Sequence, residues 1–184
     1  MTAAQTRDYG MIDQRVTSLN KLLSRISEMK NLSDSQKAPF ASNIQMVITN
    51  LTNLKSKIAA DTSTTTLRDD TKSITQAYRI YALVEPQIRI IAASDRIITI
   101  VNMMNTVGAK IQARLSQEAT STANVTVQTS LTDFAAKLTD ASNQAQGAAS
   151  EVAGLQPDNG DKTKFQSNTA TLKDARSKIQ AAEK

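Results

Sequence analysis

Apolar residues recur at steps of three and four along most of this chain. Because an α-helix has about 3.6 residues per turn, such spacing places the apolar side chains on one face of a helix. The first stripe consists of Met11, Ile12, Val16, Leu19, Leu22, Leu23, Ile26 and Met29. It predicts an amphipathic helix over about residues 5–31 with one buried face.

Several features argue against a β-sheet. The chain has only 5 glycines and 3 prolines in 184 residues, whereas the turns of a sandwich or barrel usually need both. No second run of alternating apolar residues could pair with a first, and a lone strand leaves its backbone polar groups unsatisfied. Aromatic residues make up 3% of the chain, so Leu, Ile, Val, Met and Ala must build the core, as in helical bundles. The predicted fold class is therefore all-α.

The stripes and the polar segments between them predict a single elongated, bundle-like domain of five or six helices. Short connectors make neighbouring helices antiparallel hairpins, one over 5–60 and one over 125–182. The predicted helices are about 5–31, 34–60, 65–82, 86–118, 125–154 and 162–182. The helix at 86–118 is apolar on more than one face near 88–104, and we expect it to be the central helix of the bundle.

Local signals mark some of the helix boundaries. Ser33 and Gln36 match a capping box, and Asp161 follows a Pro-Asp-Asn-Gly turn as a predicted N-cap. The run Asp158–Asp161 lacks the ligand spacing and the final Glu of a calcium loop, so it is interpreted as a turn. Small residues fill 141–154, which predicts that this half of its helix either packs closely on a neighbour or frays.

The densest cluster of candidate binding residues surrounds a proline. The segment "IYALVEPQIRII", residues 80–91, predicts a helix that stops or kinks before Pro86, since the residue before a proline disfavours helical backbone. A ligand or partner groove could form at this break. Alternatively, the tyrosines face the core and the charged residues pair at the surface. The candidate residues are Tyr78, Arg79, Tyr81, Arg89, Asp95 and Arg96.

Methionines offer a second candidate surface. Met46, Met103 and Met104 either fill the core or form an adaptable surface for a partner. The spacing of Met104, Val107 and Ile111 within the 86–118 helix favours the first alternative, because it continues the predicted inward stripe.

The residues that usually carry catalysis are missing. The chain has no His and no Cys, and it contains no nucleophile motif, P-loop or dinucleotide-binding glycine pattern. Asp69 and Asp70 lie in the first turn of a predicted helix, where acidic side chains complement the helix dipole. We therefore predict no catalytic residue, no metal site and no cofactor, and expect that the protein is not an enzyme.

The charge and the termini bear on the compartment and the partners. The net charge of +5 is spread without a run of consecutive Lys or Arg, so no specific nucleic-acid site is predicted. The longest apolar run, 97–104, is too short to span a bilayer, which needs about 20 residues. The N-terminal "MTAAQTRDYG" is interpreted as an initiator Met on a mature chain from which an export signal was removed. We therefore expect a secreted or extracytoplasmic protein.

Five runs of the chain carry a likeness to a known group. These runs are "MKNLSDSQKA", "VITNLTNLKSKIAADT", "TKSITQAYRIYALVEPQ", "IIAASDRIITIVNMM" and "LQPDNGDKT". From about residue 11 to 182 the chain resembles exported helical proteins predicted in the genomes of small uncultured bacteria. Members of that group carry signal peptides and have no assigned activity. The resemblance implies an extracytoplasmic all-helical protein and assigns a role to no residue.

Two functions follow as expectations. The first is a non-catalytic protein that acts by surface contact, as a cell-surface, envelope or matrix component or as a partner-binding module. The second is a small-ligand binder with a pocket near the Tyr78–Pro86–Arg96 break. The partner is expected to be a protein or a part of the cell envelope, and the helices could also close their core between copies as a homo-oligomer.

Overall fold

The computed structural model describes residues 2–76, 79–117 and 122–184. This part of the chain contains six α-helices and one π-helical turn, and no strand, so the all-α prediction is confirmed. The α-helices are α1 (Ala3–Glu28), α2 (Asp34–Ala60), α3 (Thr64–Gln76), α4 (Glu85–Leu115), α5 (Thr122–Ala153) and α6 (Lys162–Ala182). The π-helical turn, Ile80–Val84, leads directly into α4.

The predicted caps are present at the starts of α2 and α6. Ser33 Oγ accepts a hydrogen bond from the backbone N–H of Gln36 at 3.3 Å, and the Gln36 side chain accepts one from the N–H of Ser33 at 2.9 Å. Asp161 accepts hydrogen bonds from two N–H groups of the first turn of α6. These bonds satisfy donors that have no partner within their own helix, and they fix where each helix begins.

Contacts between helix ends show two antiparallel pairs. In the first, the Gln5 side chain at the start of α1 donates a hydrogen bond to the carbonyl oxygen of Ile58 near the end of α2, at 3.0 Å. In the second, Gln87 at the start of α4 donates to the carbonyl oxygen of Val152 near the end of α5, at 2.6 Å. Helix α6 packs on α5 and α4, and Lys178 of α6 forms an ion pair with Glu151 of α5.

Helix α4 is central over its first half only. This half packs among α1, α5 and α6. Its buried residues are Gln87, Ile88, Ile90, Ile91, Ser94, Asp95, Ile97 and Val101. From Asn102 to Leu115 no residue of α4 is buried, and the same holds for 125–137 of α5. We call these two segments, 102–115 and 125–137, the arm.

The break that was predicted before Pro86 lies further upstream, so this prediction is wrong in position. Helix α3 ends at Gln76 rather than near residue 82, and Arg79 adopts left-handed backbone angles, φ 41° and ψ 39°. Pro86 lies in the first turn of α4, where its missing N–H does little harm. The preceding residues bond with the wider π-helical spacing, because the N–H of Glu85 reaches the carbonyl oxygen of Ile80.

The second half of α5 packs closely and does not fray. Ala145, Ala148 and Val152 share one face of the helix, and all three are completely buried. Gly147 lies beside them, and a Cβ added there would meet no atom within 4 Å. Alanine at the buried positions therefore sets how near α5 can come to its neighbours, while position 147 has open space.

We expect opposite effects from enlarging these two neighbouring positions. Ala148→Leu should destabilise the protein by about 1–3 kcal/mol, because the added carbons overpack a filled interface. Gly147→Ala should stabilise it by up to about 1 kcal/mol, since alanine favours helix and meets nothing. Urea unfolding followed by far-UV circular dichroism measures both. A midpoint for Ala148→Leu at or above that of the wild type would show that this face of α5 is not packed.

Candidate docking face

The predicted cluster around Pro86 divides into separate contacts. Tyr78 lies outside the described residues. Arg79 binds Asp158 through two hydrogen bonds, Nε to Oδ2 at 2.9 Å and Nη2 to Oδ1 at 3.2 Å. The Arg79 guanidinium also lies 5.0 Å from the centre of the Phe165 ring. Arg79 therefore joins the break to the loop between α5 and α6, a structural arrangement that occupies its side chain.

We call the Arg79–Asp158 pair the clamp, and Asp158 is its buried member. Burial alone would raise the pKa of its carboxyl group, but hydrogen bonds from Arg79 and from the N–H of Gly160, with the Arg79 charge, outweigh that effect and lower the pKa below the ordinary 3.8. The Gly160 bond is 2.8 Å long. The carboxylate therefore stays ionised and fixes the turn that precedes α6.

Tyr81 contacts α1. It does not face the core, which was one of the two alternatives for this residue. Its side chain is 46% exposed, so the inward interpretation of this residue is wrong. The Tyr81 hydroxyl lies 3.4 Å from Ser18 Oγ, and the Arg15 guanidinium stacks 5.3 Å from the ring centre. Tyr81 thus contacts α1, whereas Arg79 contacts the loop between α5 and α6.

Asp95 fastens the loop between α1 and α2 to α4. Its carboxylate is buried and accepts hydrogen bonds from the backbone N–H groups of Lys30, at 3.0 Å, and Asn31, at 2.7 Å. The Asn31 side chain in turn donates to Thr99 Oγ1 at 2.7 Å. Both carboxylate oxygens of Asp95 therefore already accept hydrogen bonds within the fold, which leaves little accepting capacity for a ligand.

Arg89 and Arg96 line a groove between the end of α1 and one face of α4. The groove has a volume of ≈ 620 Å³. Its charged lining residues are Arg25, Glu28, Lys30, Arg89, Asp95 and Arg96. Arg89 pairs with Glu85 one turn earlier, whereas Arg25, Lys30 and Arg96 have no ion-pair partner in the part of the chain that the structure describes. The groove is therefore mostly basic.

The same face of α4 continues into the arm as an apolar surface. The apolar residues of this surface follow Arg89 and Arg96 at steps of three and four residues, so the arginines and the apolar residues share one side of the helix. The apolar side chains are 40% to 57% exposed, and they are Ile100, Met103, Met104, Val107 and Ile111. We call these five residues the α4 face. The prediction that Met104, Val107 and Ile111 point inward is wrong.

The position of α5 beside this face explains the exposure. Gly108 would bring an added Cβ to 3.4 Å from the Phe134 ring, and Gln112 donates a hydrogen bond to Gln128 at 2.9 Å. Helix α5 therefore covers a side of α4 that includes Gly108 and Gln112. No third helix of the described segments buries this part of the arm, so the apolar stripe next to the seam stays uncovered.

A second, smaller cavity lies between the starts of α2 and α4 and the end of α5. It has a volume of ≈ 410 Å³, and its lining carries no charged side chain. Gln87 lines it, but its amide already donates to the carbonyl oxygen of Val152. The cavity is of ligand size, yet one of its polar lining groups, the Gln87 amide, is used by the fold.

Comparison with protein families, characterised proteins and solved structures finds no match. None of the helices in the described segments combines the length and the apolar character that a bilayer crossing requires. Nor does that part of the chain contain a group of three or more acidic, His or Cys residues placed to hold a metal ion.

Proposed function

We propose that this protein is a non-catalytic helical module that acts by surface contact and that its docking surface is the α4 face. The observation that supports it is the exposure of five large, neighbouring apolar side chains on one side of one helix. Large contiguous apolar patches are uncommon on monomers and mark interaction sites. The resemblance to exported helical proteins favours the cell surface or envelope as the site of the proposed contact.

Burial of the α4 face would provide the binding free energy. Covering the exposed half of each side chain contributes about 1 kcal/mol, because full burial of a side chain of this size is worth about 1.5–3 kcal/mol. Two of the five residues are methionines, Met103 and Met104, whose unbranched side chains adapt to a partner's shape. The arm presents this surface away from the packed half of α4, so a partner can reach it.

A photocrosslinking experiment tests this proposal. A diazirine amino acid is placed at position 103 of the full chain, and the matched control carries it at position 46. Met46 is 56% exposed but stands alone on α2, whereas Met103 is 57% exposed within the α4 face. In the source cells we expect one discrete crosslinked product from position 103, lost when Val107→Asp is added, and none from position 46.

Two results would contradict the docking surface. Equal crosslinking from positions 46 and 103 would mean that exposure alone governs the reaction. A product from position 103 that persists with Val107→Asp would mean that the apolar face does not hold the partner. If native mass spectrometry of the same protein shows a retained small molecule, the ligand-binding alternative gains and the ≈ 410 Å³ cavity becomes the candidate site.

A further inference from the structure

The α4 face is bordered by positive charge at both ends, and from this we propose that its partner is an amphipathic helix with acidic residues at both ends of its apolar stripe. This inference rests on the proposed function. At one end lie Arg25, Lys30 and Arg96 in the groove, and at the other Lys110 and Arg114. All five are exposed, and none has an ion-pair partner in the described segments.

The spacing of these charges matches a helix laid along α4. Arg96 and Arg114 are eighteen residues apart on α4, which is about 27 Å at the rise of an α-helix. The apolar stripe lies between them, and residues 96, 100, 103, 107, 111 and 114 step by threes and fours along one side. A partner helix of similar length would cover the stripe and bring its end turns to the cations.

The same charges oppose pairing between two copies of this chain. An antiparallel pair of α4 helices centred on Asn105 would place Arg96 of each copy opposite Arg114 of the other. A parallel pair would place each arginine opposite itself. Like charges across an interface suppress the wrong partner, so the cations select against a second copy and favour a partner of opposite charge.

The shape of the surface favours a helix over a membrane or a nucleic acid. Arg25 at the end of α1 and Met29 directly after it form a wall of the groove, so the basic end is concave and a flat bilayer would not reach its floor. Helices that lie on membranes usually carry Trp, Phe or Leu, which the α4 face lacks. Nucleic acids would gain nothing from its apolar centre, since phosphates need donors along the whole contact.

Binding of two designed peptides tests the inference. Both are soluble amphipathic helices of about 24 residues with the same leucine stripe, long enough to span the face. One carries Glu in its end turns and the other Lys. Fluorescence anisotropy gives each dissociation constant for the full chain and for the double variant Arg96→Glu/Arg114→Glu. We expect the Glu peptide to bind the wild type about tenfold more tightly than the Lys peptide, and the preference to reverse in the variant.

The outcomes separate this inference from the proposed function. If both peptides bind equally and Val107→Asp abolishes both, the docking surface stands and the acidic partner is overturned. If neither peptide binds, the acidic partner is also overturned, and the crosslinking from position 103 decides the docking surface independently. Sedimentation with phosphatidylcholine–phosphatidylserine vesicles, lost on Val107→Asp, would overturn the helix partner in favour of a membrane surface.

Discussion

Leu51→Asp is expected to unfold the protein. Leu51 lies on α2 and is completely buried among the apolar residues that join α1 and α2. An aspartate there would bury an unpaired carboxylate and also leave part of the leucine volume empty. We expect a loss of more than about 4 kcal/mol, which is a large share of the 5–15 kcal/mol by which domains are usually stable. Thermal unfolding followed by circular dichroism measures it.

Met46→Asp is the matched control on the same helix. Met46 is 56% exposed, so the same change there places a charge in water and should alter the free energy of unfolding by less than about 0.5 kcal/mol. Equal melting temperatures for Leu51→Asp and the wild type would show that the buried face of α2 has been assigned to the wrong residues.

Much of the fold could be predicted because its signals are local. Ser33 and Gln36 form their capping box within one turn, so four residues of sequence are enough to recognise the start of α2. The stripe of α1 has the same property, since the residues that share a helix face lie three and four apart. Ile12 and Leu19, both members of that predicted stripe, are almost completely buried.

The break in the chain could not be placed, because long-range contacts hold it. Left-handed backbone is rare for arginine, and nothing near Arg79 in the sequence indicates it. The residue that holds this arginine is Asp158, which lies seventy-nine positions later in the chain. Pro86 was a visible local signal, but the first turn of a helix tolerates proline, so the signal pointed to the wrong residue.

The α4 face was missed for a related reason. Periodicity shows which residues share a side of a helix, but it does not show which side another helix will cover. The arm consists of two helices, so each covers only one side of the other, and Val107 and Ile111 remain exposed. Met103 and Met104 were the one useful signal, because methionine is frequent on adaptable binding surfaces as well as in cores.

Asp158→Ala is the second substitution from which we expect a large effect. It removes the acceptor of both Arg79 hydrogen bonds and of the Gly160 N–H, and it leaves the strained backbone of Arg79 without its partner. The expected loss is about 2–4 kcal/mol, since the partly buried Arg79 guanidinium and the Gly160 N–H are left without their acceptor. Asp13→Ala is the matched control, because its pair with Lys55 is largely exposed and should contribute at most about 1 kcal/mol.

The pH dependence of stability distinguishes the contribution of the Asp158 charge from the contribution of its shape. Because the folded-state pKa lies below the ordinary 3.8, the ionised carboxylate stabilises the fold above that value, and this contribution is lost as the pH falls from 3.8 toward the folded-state pKa. Asp158→Asn keeps the shape but cannot ionise. Urea unfolding measures the free energy of unfolding of the wild type and of Asp158→Asn. The difference between these two free energies should be largest near neutral pH and should shrink as the pH falls below 3.8. A difference that stays constant over this range would mean that the clamp works through packing and neutral hydrogen bonds, and that the ion pair with Arg79 adds nothing to stability.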